Sequence, residues 1–107
     1  MKVVRYDPDA RAEFLDAVRW YARRNVVAAV RFDECVSRAE AAIGKAPHRW
    51  PLVNGVPREL NVRRRLVDGF PFAMVYVEFD REILILAVAH GKRRPGYWRE
   101  RVPDRQT

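Results

Sequence analysis

Two neighbouring runs, Phe72 to Phe79 and Ile83 to Ala89, are largely apolar at odd and even positions alike. Their β-branched and aromatic residues read as strand, and a strand with two apolar faces must be shielded from water on both sides. The sheet is therefore expected to form a middle layer, and the rest of the chain must account for its covers.

One cover is legible upstream. Lys2 to Tyr6 reads as a first strand, ended by Asp7-Pro8, an N-cap followed by proline at the first helical position. Phe14, Leu15, Val18, Tyr21 and Ala22 form an apolar stripe at helical spacing, Arg23-Arg24 suit the last turn, and Asn25 stops the helix. A second helix is expected over Val26 to Lys45, with Ala29, Phe32, Val36, Ala39 and Ile43 along one seam. So short a connection folds the two back as an antiparallel hairpin.

Pro47 and Pro51 close the hairpin, and Ala46 to Pro57 reads as a loop with Gly55 at a turn. Three strands follow, Glu59 to Val67, Phe70 to Phe79 and Glu82 to His90, joined by turns at Asp68-Gly69 and Asp80-Arg81. The sum is β-α-α-β-β-β, an α+β fold with an N-terminal strand and a helical hairpin on one face of a mostly antiparallel sheet. A chain of 107 residues supports one hydrophobic core, so a single domain over 1–107 is expected.

The hairpin covers only one face. The other is left to the C-terminal segment around Tyr97 and Trp98, to a second copy in a homodimer, or to a different chain, and the breadth of the apolar pattern favours a partner. Charge points to the partner's chemistry. The net charge is +7, and of 21 cationic residues only Lys2, Lys45 and Lys92 are lysines, leaving 18 arginines. Such a surface suits an anionic partner, nucleic acid or an acidic protein segment. The longest apolar run, Ile83 to Ala89, is far short of the roughly 18 residues that cross a bilayer, and Met1 to Arg5 offers no signal-peptide core. A cytoplasmic protein without a membrane partner is expected. Cys35 stands alone in a helical stretch, which excludes a disulfide framework.

Chemistry-bearing residues fall in two places. In Arg63-Arg64-Arg65, alternation puts Arg63 and Arg65 on one face, read as the face away from the helices, with guanidinium groups about 7 Å apart that could clamp a phosphodiester. The segment from Ala87 to Trp98 carries His90 where a strand meets a glycine-containing loop, then Arg93 and Tyr97. An imidazole there can exchange protons near neutral pH beside arginine, and Tyr97 and Trp98 offer either tail-docking or base-stacking surfaces. With two histidines, one cysteine and no ligand spacing, no metal site is expected. No phosphate-cradling glycine loop or dinucleotide fingerprint is present, so no cofactor is expected either.

The Trp20-Tyr21 pair, Phe32 and Ile43, Phe70-Pro71-Phe72 followed by Val75-Tyr76, and Ile85 to His90 leading through Arg93 and Arg94 to Pro95-Gly96-Tyr97-Trp98 together resemble the RelE/ParE toxin superfamily, over Val3 to Trp98. The resemblance implies a toxin of a type II toxin-antitoxin system, neutralised by a cognate antitoxin whose C-terminal segment wraps around it. One branch of the superfamily cleaves mRNA on the ribosome, and this is the principal expectation. There His90 would act as acid or base, Arg63, Arg65 and Arg93 would stabilise the charged phosphorane, and Tyr97 would stack or donate a proton. The alternative branch inhibits DNA gyrase by binding, without catalysis. The chain departs from the lysine-rich habit of the nuclease branch, which weighs toward the alternative.

Overall fold

The computed structural model describes residues 2–103; Met1 and residues 104–107, the ends of the expected 1–107 domain, lie outside them. Strand β1 (Val3–Tyr6) leads into helix α1 (Pro8–Arg24), helix α2 (Val26–Lys45) and strands β2 (Val62–Leu66), β3 (Phe72–Glu78) and β4 (Glu82–His90). Short 3₁₀ turns occupy Pro47–Arg49, Arg58–Leu60 and Arg99–Arg101. The sheet order is β1-β4-β3-β2, with β1 parallel to β4 and the other pairings antiparallel. This is the expected α+β arrangement. The second expected strand is shorter than its pattern, because Glu59 and Leu60 turn in a 3₁₀ step that ends at Asn61, whose φ of 54° breaks extended backbone.

The helical hairpin forms for the reasons its sequence displays. The Asp7 carboxylate accepts the Asp9 N–H at 2.8 Å with Pro8 in the first turn. Asn25 serves both helices: its N–H donates to the Tyr21 carbonyl at 2.7 Å, while its side chain accepts from the N–H groups of Val27 and Ala28. In α2 the seam Ala29, Phe32, Val36, Ala39, Ile43 is buried as expected. In α1 the packed face is Ala10, Phe14, Ala17, Val18 and Tyr21, whereas Leu15 and Ala22 are exposed. The stripe read from the sequence was too wide, because the positions of α1 that pack against α2 and β4 fill only a narrow face.

Two apolar layers sandwich the sheet. Toward the helices, Phe32 stacks among Phe14, Tyr21, Phe70 and Phe72, centroids 5.1 to 6.0 Å away, above Met74, Tyr76, Ile83, Ile85 and Val88. On the far side Val62, Val75, Val77, Leu84, Leu86 and Ala87 are covered by Trp98, Tyr97 and Val102 from the tail and by Val53, Val56 and Leu60 from the 46–61 connection. Of the three covers the sequence left open, the favoured one, a second chain, is therefore corrected: the tail and the 46–61 connection cover this face. The long connection between hairpin and β2, read as a plain loop, supplies the apolar residues that the tail alone lacked.

A bulge resets the alternation in β4. Val75 pairs with Ala87 but Tyr76 with Ile85, so Leu86 is an extra residue and both Leu86 and Ala87 face the far side. Val88 and His90 are thereby turned toward the helices.

Candidate functional site

His90 ends β4 opposite Phe72, and its ring meets that phenyl edge-on at 5.0 Å. The chain then turns tightly, with the Arg93 N–H donating to the His90 carbonyl at 3.0 Å. The Lys92 N–H donates to His90 Nδ1 at 3.0 Å, so the neutral ring carries its proton on Nε2. Arg93 folds over Tyr97, its guanidinium carbon 3.9 Å from the ring centroid. His90, Arg93 and Tyr97, three of the residues expected to matter, thus come together at one end of the sheet.

Two residues missed in the sequence complete the cluster. Because β1 pairs with β4 only as far as Ile85, the edge of β4 beyond that point has no strand beside it among the described residues. Glu13 of α1 and Arg101 of the tail serve that edge instead: Glu13 Oε1 accepts the Val88 N–H at 3.1 Å, and Arg101 donates to the Leu86 carbonyl at 3.0 Å. They also pair with each other through two bonds of 3.1 and 3.0 Å, and Glu13 Oε2 accepts the Tyr97 hydroxyl at 2.9 Å. Burial, then the Glu13 carboxylate, push the Tyr97 phenol up to about 12, so at neutral pH it stays protonated. The only hint of Glu13 in the sequence is an acidic residue next to an apolar stripe, a pattern that ordinarily means solvent.

Arg63 and Arg65 do not join this cluster. They pair with Tyr76 and Met74, which face the helices, so the face assigned to them from the sequence is corrected. Arg63 donates to the Trp50 carbonyl at 2.6 Å; the Arg65 guanidinium lies 4.6 Å over the Trp50 ring and donates to the Leu66 carbonyl, with Asp68 at 3.4 Å. The arginine of the triplet on the far face is Arg64, beside Val75.

Concave surface flanks the His90 end on both sides. Toward the helices, a groove of about 510 Å³ runs between α1 and the sheet end, walled by Ala17, Trp20, Tyr21, Phe72 and Val88, with His90 and Arg93 at its rim. On the far side, a cleft of about 280 Å³ lies between the 53–56 loop and the 91–99 segment. At the hairpin turn, Trp20, Val26, Val27 and Val30 are 45, 67, 65 and 54 % exposed, and Arg24 covers the Trp20 ring at 3.7 Å.

The family model described as ParE toxin of type II toxin-antitoxin system, parDE, matches residues 4–95. The chain belongs to the ParE toxin family. A solved structure of the chromosomal ParDE toxin-antitoxin system from P. aeruginosa superposes with a TM-score of 0.70, covering 84 % of this chain and 96 % of that one at 16 % identity. At that identity the likeness establishes a shared fold. No curated protein matches the chain by sequence.

Within this ParE-family fold the polar groups around His90 are engaged mainly with one another. Glu13 holds Val88, Tyr97 and Arg101 at once, and Tyr97 has committed its proton to Glu13. Such a cluster is suited to holding the tail on the sheet. No group of three or more metal-ligating side chains occurs among the described residues. No helix among them is long and apolar enough to cross a membrane.

Proposed function

We propose that this chain is a growth-arresting cytoplasmic toxin that acts by binding DNA gyrase, without a catalytic step, and is neutralised by a cognate antitoxin. Family membership supports the reading, and the printed subject of the superposed structure, a ParDE toxin-antitoxin system, supports the antitoxin as partner. The observation that carries the mode of action is the separation of the arginine pair from His90. Phosphodiester cleavage needs a base for the 2′-hydroxyl, cations on the phosphorane and an acid for the leaving oxygen, all within reach of one phosphate. Here Arg63 and Arg65 are bound at Trp50, His90 Nδ1 is occupied by a backbone N–H, and Tyr97 is bound to Glu13.

A binding toxin needs an exposed anchor. The hairpin turn offers one in Trp20, Val26, Val27 and Val30, an aromatic and aliphatic patch among arginines. The test is to mix the purified chain with gyrase and plasmid. Loss of supercoiling with accumulation of trapped cleavage complexes is expected, and Trp20→Ala with Val27→Ala should weaken the effect about tenfold or more, the scale of an interface hot spot. Unchanged supercoiling, together with new mRNA 5′ ends in arrested cells that vanish with His90→Ala, would overturn the proposal in favour of cleavage.

A further inference from the structure

The far-face cleft has a charge pattern that the packing of the sheet does not require. Its floor is small and apolar, formed by Ala73, Val75 and Ala89, and Arg64, Arg93, Arg94 and Arg99 stand around it. No aspartate or glutamate lines it. The ion pairs among the described residues engage Lys2, Arg5, Arg19, His48, Arg65 and Arg101, and none engages these four arginines. Two have neutral contacts only: Arg99 donates to the Gly55 carbonyl, and Arg93 lies over Tyr97. Arg64 and Arg94 are exposed, with no side-chain hydrogen bond among the described residues.

Four cations outside any of these ion pairs, around a concavity with an apolar floor, focus a positive potential, since the floor screens poorly. A single carboxylate would leave most of that charge unanswered; linked phosphates answer it, and arginine's planar fork matches phosphate oxygens two at a time. The floor adds a second requirement. Ala73 and Ala89 are half-buried and carry only a methyl group each, and Val53, Val56 and Trp98 border them, so a flat apolar ring can lie there. The cleft is closed on one side by the 53–56 loop and on the other by the 91–99 segment, joined through the Arg99 to Gly55 bond. That enclosure suits a discrete small molecule better than a strand running through. Gly96 helps to set the wall: its φ is +76°, and a Cβ there would meet Arg99 Nε at 3.0 Å.

We propose that this cleft binds a nucleoside polyphosphate, with Arg64 and Arg94 holding the phosphates and the Ala73, Val75 and Ala89 floor taking the base. The site lies across the sheet from the hairpin patch assigned to gyrase, so the two proposals stand or fall separately. Calorimetric titration of the purified chain with ADP, ATP, pyrophosphate, adenosine, a single-stranded oligonucleotide and a glutamate-rich peptide tests it. Saturable one-to-one binding of ADP or ATP is expected, about tenfold or more tighter than pyrophosphate or adenosine, because each lacks half of the contacts. Arg64→Ala with Arg94→Ala should weaken nucleotide binding about tenfold or more without changing the melting temperature, since both side chains are exposed. Ala89→Leu should remove the preference for nucleotide while leaving pyrophosphate binding in place. Equal affinity for pyrophosphate and nucleotide would overturn the base subsite. Tighter binding of the oligonucleotide or the acidic peptide, lost in the double arginine variant, would reassign the cleft to a macromolecule, and no saturable binding of any probe would dismiss it.

Discussion

Glu13 is the residue on which most of the tail's anchorage converges. It accepts from a strand N–H, a phenol and a guanidinium, and so substitutes for the strand that β1 fails to provide beyond Ile85. Tyr97 reports on this cluster. Removing its hydroxyl by Tyr97→Phe should cost about 1 kcal/mol at neutral pH, the net worth of one hydrogen bond, measurable by urea unfolding. The pH dependence has a definite sign. Folding raises the Tyr97 pKa from 10 to about 12, so the protonated phenol's contribution is complete below pH 10 and is lost as pH rises toward about 12. Stability of the variant should therefore decline less steeply than that of the wild type across that window. Tyr6 and Tyr76 are shifted in the same direction by burial and contribute equally to both proteins. In the sequence Tyr97 stood out, while Glu13 did not, because its partners lie 75 to 88 residues away.

At the scale of elements, the helical hairpin depends on one shared cap. Asn25 ends α1 and begins α2, and its side chain accepts two N–H groups that no residue within the helix can satisfy. Asn25→Ala should destabilise the protein by about 1 kcal/mol, within the range of 0.5–2 measured for caps. Asn25→Asp, which keeps an acceptor at the positive end of the α2 dipole, should recover most of the loss in thermal unfolding. Both helices and their boundaries were legible in the sequence, since capping and apolar periodicity are local. The strands were less so: Glu59 and Leu60 look like strand by composition but turn instead, and the Leu86 bulge has no signature in a uniformly apolar run.

For the molecule as a whole, the decisive fact is that the sheet is covered on both faces by its own chain. Trp98 is the largest element of the far cover, and Trp98→Ala should cost about 3–5 kcal/mol, as for other buried large-to-alanine changes. Denaturant unfolding would show the loss, and a hydrophobic dye should bind the folded variant strongly and the isolated wild type weakly. The sequence by itself determined the order of elements, the helical hairpin, the need for two covers and the family resemblance, because all of these rest on short-range periodicity and ordered motifs. Only the tertiary structure decided which face each residue of the arginine triplet occupies. With both faces apolar, Val62 fits either layer, and alternation alone cannot orient the strand that carries it. The same holds for His90, whose face is set by one extra residue in β4, and for the arginine cleft, whose members are drawn together by strand pairing and a returning tail.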